Sequence, residues 1–367
     1  MVAPYAVSSK PTVSVIVPAR NEEACLGACL ESLTGQSDVS FEIVVVDDAS
    51  TDGTRAIAQA VPSVLVVDAG PPPTGWTGKN NAMAAGARVA SGEWLLFTDA
   101  DTVHKSGSLA RAISEARHQG ASLLSYSPEQ EVHSFWEKAV MPVIFAELAA
   151  TYRPSMVSDP RSPAAAANGQ YILISREAYS AIGGHAVVSS SLLEDVGLAR
   201  AVKASGRKIS FRYGADAVRT RMYRSFAQLC EGWTKNLALL FPTPGRLAIL
   251  RLTEFVLIVS GFIAATDGFL RGHGRPALVA AILALVVYVS FLRRIRRAHF
   301  SWDANALALL GIPVFSYLLL RSRRSHKRGS VSWKGRTYGG NTNPDEKSAL
   351  AKPHAGLEST THGLSHS

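Results

Sequence analysis

Cysteine is scarce in this sequence, and the few cysteines form neither a metal nor a disulfide pattern. The chain has 367 residues and three cysteines, Cys25, Cys29 and Cys230. An odd number does not make a disulfide framework, and no four-ligand zinc spacing is present. We therefore expect reduced thiols in a reducing compartment, which excludes the class of small secreted proteins held together by disulfides.

The sequence also lacks an apolar N-terminus and has few charged residues. Its opening stretch, MVAPYAVSSK, contains no apolar run, so we expect no signal peptide there. Charged residues make up 18% of the chain, below the usual share of about a quarter. This shortfall indicates apolar segments beyond those of an ordinary core.

The net charge of +9 is concentrated in one part of the chain. Between Arg271 and Arg336 there are 13 lysines or arginines and one acid, Asp303. An excess of cations can bind nucleic acid, but these cations flank apolar segments, which is typical of the cytoplasmic side of membrane helices. We therefore predict a membrane as partner and no nucleic acid.

Three apolar segments follow Gly245, at 247–266, 277–292 and 304–320. Their basic flanks favour membrane helices over a buried helical core. If all three crossed the membrane, the cations at 293–297 and 321–336 would lie on opposite sides, against the positive-inside rule. We therefore predict two crossings and a third, re-entrant or interfacial segment that bends at Pro313.

Apolar runs in the first 100 residues alternate with helix-like stretches. The expected strands are 13–17, 41–48, 63–68 and 93–99, and the expected helices are 21–33, 50–61 and 79–90. This alternation predicts an α/β fold with a mostly parallel sheet. Ligands of such sheets bind beyond the carboxyl ends of the strands, where the clusters PARNEE, DDASTD and TDAD fall. We expect these clusters to converge on one rim.

The middle of the chain predicts further helices and strands. Segment 135–152 fits either a core helix or a helix lying on a membrane surface, and the sequence leaves both open. Segment 168–185 predicts a strand, a turn and a helix stopped by glycines, and 192–214 predicts a helix followed by a strand.

The run GEWLLFTDADT ends an apolar strand with two carboxylates, Asp99 and Asp101. Like charges at this spacing repel each other unless a cation lies beside them. Mg²⁺ takes one or two carboxylates together with substrate phosphates. A D-x-D pair also occurs in ordinary turns, but at the end of a buried strand it predicts an open divalent-cation site.

Two further candidates lie at predicted helix starts. Lys79 follows GWTG, and a helix N-terminus with a lysine suits phosphate, although a simple surface lysine is the alternative. The Walker pattern G-x-x-x-x-G-K-[ST] is absent. Asp195, next to Glu194, either helps to cap its helix or acts as the base toward an acceptor hydroxyl.

Taken together, these residues resemble the family 2 glycosyltransferases with the GT-A fold. The matching motifs are VSVIVPARNEE, VVVDDASTDGT, GKNNAMAAG, GEWLLFTDADT, GGH with a downstream ED, and GWTK. The resemblance covers residues 12 to 240 or so of the chain. The later apolar segments and VSWKGRTY (331–338) are similar to a bacterial membrane-bound subgroup associated with glycosylation of carotenoids, hopanoids or other lipids.

The resemblance implies a GT-A domain, with a Rossmann-like, mostly parallel sheet and flanking helices, followed by membrane helices. The expected regions are an N-terminal extension (1–11), the GT-A domain (12–245), the membrane helices (246–325), the basic W-K-G-R motif (326–338) and a disordered tail (339–367). The tail is rich in Gly, Asn, Ser, Thr and His, as disordered segments often are.

The resemblance also implies roles for individual residues. The expected nucleotide-sugar ligands are Pro18, Arg20, Glu22, Asp47, Asp48, Lys79, Asp99 and Asp101. Within this set, Asp48 contacts the uracil or ribose region, and Asp101 is a better ligand than Asp99 for Mg²⁺ or Mn²⁺. Asp195 is expected to be the base of an inverting displacement.

One family motif is incomplete in this chain. The place of Q-x-x-R-W, after the expected base, is taken by LCEGW at 229–233, so processive polymer synthesis is not expected. The acceptor or diphosphate site is expected to include Glu194, Trp233, Lys235 and Arg336. An interfacial anchor explains Trp333 and Lys334 of the W-K-G-R motif equally well.

These inferences predict a multi-pass inner-membrane enzyme with a cytoplasmic catalytic domain. It would transfer a sugar from a nucleotide-sugar, a UDP-sugar in the first instance, to a lipid or isoprenoid acceptor. Three alternatives stay open: a polysaccharide or lipid-linked glycan as acceptor, a nucleotidyltransferase, and an inactive membrane-anchored sugar-nucleotide-binding protein. The PARNEE cluster stands where a nucleotidyltransferase would have a glycine-rich loop, and the D-x-D pair with Asp195 argues against an inactive protein.

Overall fold

The structure, a computed structural model, describes residues 10–338. The predicted tail (339–367) and most of the N-terminal extension (1–11) lie outside the described residues. The strands are β1 Val13–Ala19, β2 Phe41–Asp47, β3 Val64–Asp68, β4 Trp94–Phe97, β5 Thr102–His104, β6 Leu123–Ser127, β7 Glu129–Gln130, β8 Ile172–Ser175, β9 Ile209–Tyr213, β10 Val218–Thr220, β11 Val331–Trp333 and β12 Arg336–Tyr338.

Twelve α-helices and two short 3₁₀ helices occur within these described residues. The α-helices are α1 Leu26–Thr34, α2 Thr54–Gln59, α3 Gly78–Val89, α4 Ser108–Gln119, α5 Phe135–Thr151, α6 Pro154–Ser158, α7 Arg176–Ala181, α8 Glu194–Ala204, α9 Phe226–Leu240, α10 Pro244–Leu270, α11 Gly274–Ile295 and α12 Trp302–Arg328. The 3₁₀ helices are Gly184–Val188 and Arg296–Ala298.

Seven strands form the central sheet in the order β3-β2-β1-β4-β8-β6-β9. Neighbouring strands are parallel, except that β8 runs antiparallel to both β4 and β6. The central strands are apolar and buried along their length because helices cover both faces of the sheet. The expected mostly parallel α/β sheet is therefore confirmed.

The order of the strands brings the three polar clusters to one edge of the sheet. Strand β1 lies between β2 and β4, and all three run in the same direction. The backbone N–H of Asp48 donates to the Ala19 carbonyl at 2.8 Å, and that of Thr98 donates to the Ile16 carbonyl at 3.1 Å. The loops after the three strands therefore start side by side, which is the rim expected from the sequence.

Helix α1 begins later than the sequence suggested. A helix from Asn21 with acids in its first turn is wrong, because α1 starts at Leu26 and has no acid in its first turn. Asn21 is held in the left-handed region with φ 52°. The backbone N–H of Glu22 donates to Thr54 Oγ1 at 2.7 Å. This loop is bound to the loop before α2, which keeps Glu22 at the rim of the sheet.

Helix α5 is a core element. Most of its side chains from Glu137 to Glu147 are buried. Helix α12 approaches so closely that a Cβ at Gly311 would collide with the carbonyl oxygen of Ala139, so a side chain does not fit at that position. Ser134 and Glu137 form a capping box at the start of α5. Of the two positions that the sequence left open, the core position is the one observed.

Three helices, α10, α11 and α12, are long and apolar enough to cross a membrane. Within the most apolar 18-residue stretch of each helix, 11% of α10 and 17% of α11 is buried in the protein, compared with 44% of α12. Helices α10 and α11 therefore form a hairpin with mostly exposed apolar faces, whereas α12 packs along α5, α10 and α9.

The third apolar segment does not bend back at Pro313. Helix α12 continues through this proline from Trp302 to Arg328. Proline removes one helical hydrogen bond, here to the carbonyl of Leu309, and the packing of the Gly311 region on α5 holds both halves in line. The re-entrant form of the prediction is therefore wrong, and the interfacial form stays a prediction.

Four charges, of which Glu147 is buried and the other three are mostly buried, connect α5 to the α10–α11 hairpin. Glu147 of α5 forms ion pairs with Arg251 Nε at 2.9 Å and with Arg294 Nε at 3.1 Å. Glu254 forms ion pairs with the same two arginines at 3.2 and 2.6 Å. Two acids balance two bases, so the cluster is neutral as long as each member keeps its charge.

We expect the Glu147→Gln substitution to destabilise the protein. It leaves two mostly buried arginines facing one carboxylate, and an uncompensated buried charge lowers the free energy of unfolding by about 3 kcal/mol. Thermal unfolding of the full chain in detergent measures the loss. The matched control is Asp267→Asn on α10, whose pair with Arg271 is exposed on both sides. Equal melting temperatures for the two variants would show that the cluster contributes no stability.

Candidate active site

One large cavity opens at the rim of the sheet. Its volume is about 900 Å³. All but one of the predicted site residues line it: Pro18, Arg20, Glu22, Asp48, Lys79, Asp99, Asp101, Glu194, Asp195, Trp233, Lys235 and Arg336. These residues come from seven separate stretches of the chain, and the fold brings them together around one cavity.

Asp47 is the predicted residue that the structure does not bring to the cavity. Its Oδ2 pairs with Arg55 at 3.3 Å, and its Oδ1 accepts the backbone N–H of Ser50 at 3.2 Å. Successive side chains of a strand point to opposite faces, so Asp47 and Asp48 cannot both face the cavity. Of this pair, Asp48 alone lines the cavity, so the structure does not place Asp47 with the other expected nucleotide ligands.

Lys79 lies between two carboxylates at the start of α3. Its Nζ is 2.8 Å from Asp99 Oδ1 and 2.8 Å from Glu194 Oε1. Burial lowers the pKa of Lys79, but the two carboxylates outweigh burial and hold that pKa well above its usual range. Burial likewise raises the pKa of Glu194, and Lys79 more than offsets this, so that the pKa is lowered. Lys79 and Glu194 are therefore both ionised at neutral pH.

Asp195 is held beside this cluster by backbone groups. Its Oδ2 accepts the N–H of Gly169 at 3.0 Å, and its Oδ1 accepts the N–H of Val196 at 2.8 Å. Burial and the negative charge of Glu194 raise the pKa of Asp195 to about 6. A carboxylate with this pKa is ionised near neutral pH and is more basic than an exposed aspartate, as a general base requires.

The two D-x-D carboxylates have different surroundings. Asp99 is paired with Lys79, whereas Oδ1 of Asp101 is buried and accepts no hydrogen bond within residues 10–338. Burial raises the pKa of Asp101 to about 7, and the charges of Asp99 and Glu22 add to the effect. A buried, unpartnered carboxylate oxygen at the cavity surface fits a cation ligand, which agrees with the preference for Asp101.

The described part of the chain contains no cluster of three or more His, Cys, Asp or Glu side chains that would enclose a metal. A Mg²⁺ or Mn²⁺ ion at this rim would therefore have one or two protein carboxylates and would need further oxygen ligands from water or substrate phosphates. Asp101 and Asp99 are the residues that would hold it. This donor set fits an open site, as the sequence indicated.

Trp233 and Lys235 of α9 lie on the wall of the cavity. The Trp233 indole is buried, and its N–H donates to Met141 Sδ at 3.4 Å, so this residue mainly packs α9 on α5. Lys235 Nζ lies 5.1 Å from the ring centre of Trp333. Burial lowers the pKa of Lys235. Trp233 therefore shapes the wall, and Lys235 provides a cation close to the carboxylates.

Sequence reasoning missed Asn80, which connects α3 to the loop before α8. Its amide nitrogen lies within hydrogen-bond distance of three carbonyl oxygens, at 2.6 Å from Val188, 3.0 Å from Ser189 and 3.0 Å from Ser191. This loop leads directly to Glu194 and Asp195. The signal in the sequence is the buried polar pair in GKNN, since a buried amide needs hydrogen-bond partners.

We expect the Asn80→Ala substitution to lower kcat by about tenfold, because a shift of one ångström in a catalytic group has large effects, and to change the donor KM little. Asn81→Ala is the matched control. It removes contacts of the same kind, to the carbonyls of Ala69 and Gly70, at a place away from the loop. Steady-state kinetics of both variants measure kcat and the donor KM. Equal losses of kcat would mean that Asn80 acts only through stability.

Known proteins resemble this chain along most of its length. The family model described as Glycosyl transferase family 2 matches residues 14–183. A 4,4'-diaponeurosporenoate glycosyltransferase of Staphylococcus aureus (strain USA300) is 29% identical over 335 residues, which are 89% of this chain and 88% of that protein.

Solved structures with related folds are also similar to it. A mannosyltransferase from Pyrobaculum calidifontis in complex with GDP-Man and Mn²⁺ has 18% sequence identity and a TM-score of 0.47, with 87% of both chains covered. A glucosyl-3-phosphoglycerate synthase from Mycobacterium tuberculosis in complex with Mn²⁺, UDP and phosphoglyceric acid has 23% identity and a TM-score of 0.42, covering 62% of this chain and 76% of that one.

The family match begins in β1 and ends just after α7, so it contains the rim, Lys79 and the D-x-D pair. The similarity to the staphylococcal glycosyltransferase extends over most of the chain, well beyond the matched domain. The central sheet has the mostly parallel arrangement of the GT-A fold. On these observations residues 14–183 match the family 2 glycosyltransferase domain, and most of the chain is similar to a staphylococcal glycosyltransferase.

Proposed function

We propose that this enzyme transfers a sugar, with inversion, from a nucleotide-sugar to a carotenoid-type lipid acceptor at a membrane surface. The observation that carries the proposal is the single cavity with two unlike walls. One wall is the carboxylate rim with Lys79, and the other is apolar and reaches the segment between α11 and α12. A polar donor and an apolar acceptor would meet between these walls, at Asp195.

The polar wall suits a nucleoside diphosphate. Lys79 at the N-terminus of α3 offers positive charge for phosphates. Asp48 and Glu22 lie on the side where the family resemblance expects the nucleoside. A Mg²⁺ or Mn²⁺ ion, when bound at Asp101 and Asp99, supplies charge neutralisation for the leaving diphosphate. The geometry therefore supports a nucleotide-sugar as the donor.

The apolar wall suits a lipid. It is formed by side chains of α5, β9 and the segment after α11, namely Phe145, Leu148, Tyr152, Phe211, Tyr213, Ala298 and His299. Tyr213 and His299 stack with ring centroids 4.3 Å apart, which joins the catalytic domain to the base of the α10–α11 hairpin. The staphylococcal relative is named for 4,4'-diaponeurosporenoate. A carotenoid-type acceptor has the long apolar chain that such a wall would bind.

Asp195 is the residue that would take the proton of the acceptor. In a single displacement, the acceptor oxygen forms a bond to the anomeric carbon from the face opposite the diphosphate. The bond from that carbon to the diphosphate oxygen breaks, and an acceptor hydroxyl gives its proton to Asp195, whereas an acceptor carboxylate has no proton to give. Lys79 lies where it would stabilise negative charge on the leaving group. A single displacement of this kind inverts the anomeric configuration.

The flanks of α12 support a particular membrane topology. Residues before this helix (297–299) and after it (333–338) line the same cavity. A helix that crossed the membrane completely would carry its two flanks to opposite sides. We therefore infer that α10 and α11 cross the inner membrane and that α12 lies along its cytoplasmic surface. Both basic clusters then stay in the cytoplasm, as the positive-inside rule requires.

The test is a donor panel with the full-length enzyme in membranes. Radiolabelled UDP- and GDP-sugars are supplied with Mn²⁺ and a total lipid extract, and products are identified by mass spectrometry. We expect label in a glycosylated apolar lipid, and loss of label with EDTA. Label in a polysaccharide or a lipid-linked glycan would favour the alternative acceptors. Donor binding with neither transfer nor hydrolysis would favour an inactive binding protein.

A further inference from the structure

The last hairpin of the described chain, β11–β12, returns to the carboxylates of the first two strand ends. Lys334 Nζ pairs with the carboxylate of Glu22 and donates to the carbonyl oxygen of Arg20 at 3.1 Å. Arg336 makes two bonds to Asp48, from Nη1 to Oδ2 at 2.5 Å and from Nη2 to Oδ1 at 2.9 Å. Two carboxylates expected to serve the nucleotide are thus already neutralised by the chain itself.

The turn of this hairpin places Lys334 in an unusual conformation. Trp333 pairs with Arg336, which leaves a two-residue turn of Lys334 and Gly335. Both turn residues have positive φ, 46° and 76°, as in a type I′ turn, where Asn-Gly is the preferred pair. A lysine in the left-handed region is strained relative to asparagine. Such strain at a ligand pocket is often retained for function, and here it brings an ammonium group to Glu22.

The guanidinium of Arg336 lies at the N-terminus of α3. A Cβ at Gly78, the first residue of α3, would collide with this guanidinium. A cation is disfavoured at a helix N-terminus, which carries partial positive charge and suits anions. Asp48 is the anion that holds Arg336 there. A phosphate arriving at the same N-terminus, beside Lys79, would be a second anion within reach of Arg336.

We propose that the β11–β12 hairpin is a donor-operated latch. Without donor, Arg336 and Lys334 neutralise Asp48 and Glu22. When a nucleoside diphosphate binds, its phosphates take Arg336 from Asp48, and Asp48 becomes free to bind the nucleoside. The latch rests on the proposed function in one respect, that the donor carries a nucleoside diphosphate.

The exchange predicts opposite effects on two ligands. A nucleoside without phosphates must open the Asp48–Arg336 pair and receives nothing from Arg336 in return. A nucleoside diphosphate opens the same pair but gains Arg336 as a phosphate ligand. The Arg336→Gln variant should therefore bind the nucleoside more tightly. It should bind the diphosphate about tenfold more weakly, since a lost hydrogen bond to a charged group has an effect of this order.

Lys334→Asn provides the matched second variant. Asn-Gly is a better type I′ turn than Lys-Gly, so the hairpin keeps its shape while the contact with Glu22 is lost. Arg336 stays in place to meet the phosphates. Because Glu22 is released while the Asp48–Arg336 pair stays intact, we expect nucleoside binding no weaker than in the wild-type protein and no weakening of diphosphate binding.

The experiment is calorimetric titration of the full-length protein in detergent with Mn²⁺. The probes are UDP and GDP, each compared with its nucleoside, uridine or guanosine. Lys327→Gln is the control, because it removes an exposed cation from the last turn of α12. Opposite shifts for nucleoside and diphosphate in Arg336→Gln, with Lys327→Gln unchanged, are the expected result.

Five results would overturn the latch. If Arg336→Gln weakened the binding of nucleoside and diphosphate equally, the hairpin would be a fixed part of the binding site. If it tightened the binding of both, Arg336 would only compete with the ligands for Asp48. Weaker nucleoside binding in Lys334→Asn would contradict the latch even if Arg336→Gln fails to fold. If the wild-type protein binds nucleosides and neither diphosphate, the latch fails together with the donor class proposed above. If the wild-type protein transfers sugar from a donor but both variants bind nucleoside and diphosphate as the wild type does, the latch is wrong and the proposed donor class still holds.

Discussion

Asp195→Asn is expected to abolish sugar transfer, with kcat reduced about 1,000-fold or more, while donor binding is retained. Loss of a general base typically has an effect on the order of 100- to 10,000-fold. The amide has nearly the same shape, and its oxygen can still accept the N–H of Gly169. Transfer kinetics and donor titration with the same protein preparation separate the two effects.

The pH profile gives this prediction a second readout. Because burial and Glu194 raise the pKa of Asp195 to about 6, the base is protonated below that pH. We therefore expect kcat of the wild-type enzyme to fall as pH drops through about 6. Asp38→Asn, which removes an exposed acid, is the control and should keep both rate and profile. Full activity of Asp195→Asn would rule out Asp195 as the base.

Asp101→Asn is expected to lower the rate of sugar transfer about 100-fold or more, because the variant loses a ligand of the Mn²⁺ ion. Oδ1 of Asp101 is buried without a hydrogen bond among the described residues, whereas Asp99 already has Lys79 as its partner. Metal binding should therefore depend more on Asp101 than on Asp99. Titration of Mn²⁺ in the presence of UDP should show a larger loss of affinity for Asp101→Asn than for Asp99→Asn.

Stability without metal offers a check that does not depend on activity. The pKa of Asp101 is about 7 in the folded protein, above the value of about 3.9 expected for an unfolded chain. Between these two pH values the folded state binds more protons, so the free energy of unfolding falls as pH rises. In EDTA at pH 8, Asp101→Asn should therefore melt at a higher temperature than the wild-type protein. A lower melting temperature would mean that Asp101 has a stabilising partner.

The rim of the cavity could be predicted from the sequence because it depends on local patterns. Buried parallel strands are visible as apolar runs, and their carboxyl ends must meet if the strands are neighbours. The D-x-D pair, Lys79 and Asp195 each follow such a run or begin a helix. The choice between Asp47 and Asp48 is different. It depends on which face of β2 each side chain takes, and a continuously apolar strand gives no alternation from which to read this.

Contacts between distant parts of the chain could not be predicted in the same way. Arg336 and Asp48 are 288 residues apart, and the hairpin that carries Arg336 has only three residues in each strand. The late start of α1 is accompanied by a bond from the Glu22 backbone N–H to Thr54, the first residue of α2. The continuity of α12 through Pro313 depends on its packing against α5. Each outcome is decided by a tertiary contact that leaves little trace in local sequence.

The position of the β11–β12 hairpin in the chain has a consequence for biosynthesis. Translation runs from the N-terminus, so the residues of the central sheet and of all three apolar helices are synthesised before Lys334 and Arg336. Until then the carboxylates of Glu22 and Asp48 have no partner from the hairpin. The wall of the cavity is thus completed by the last described segment of the chain, after the apolar helices have been made. A chain that stops at Gly245 would keep the rim and Asp195 but would lack this final wall.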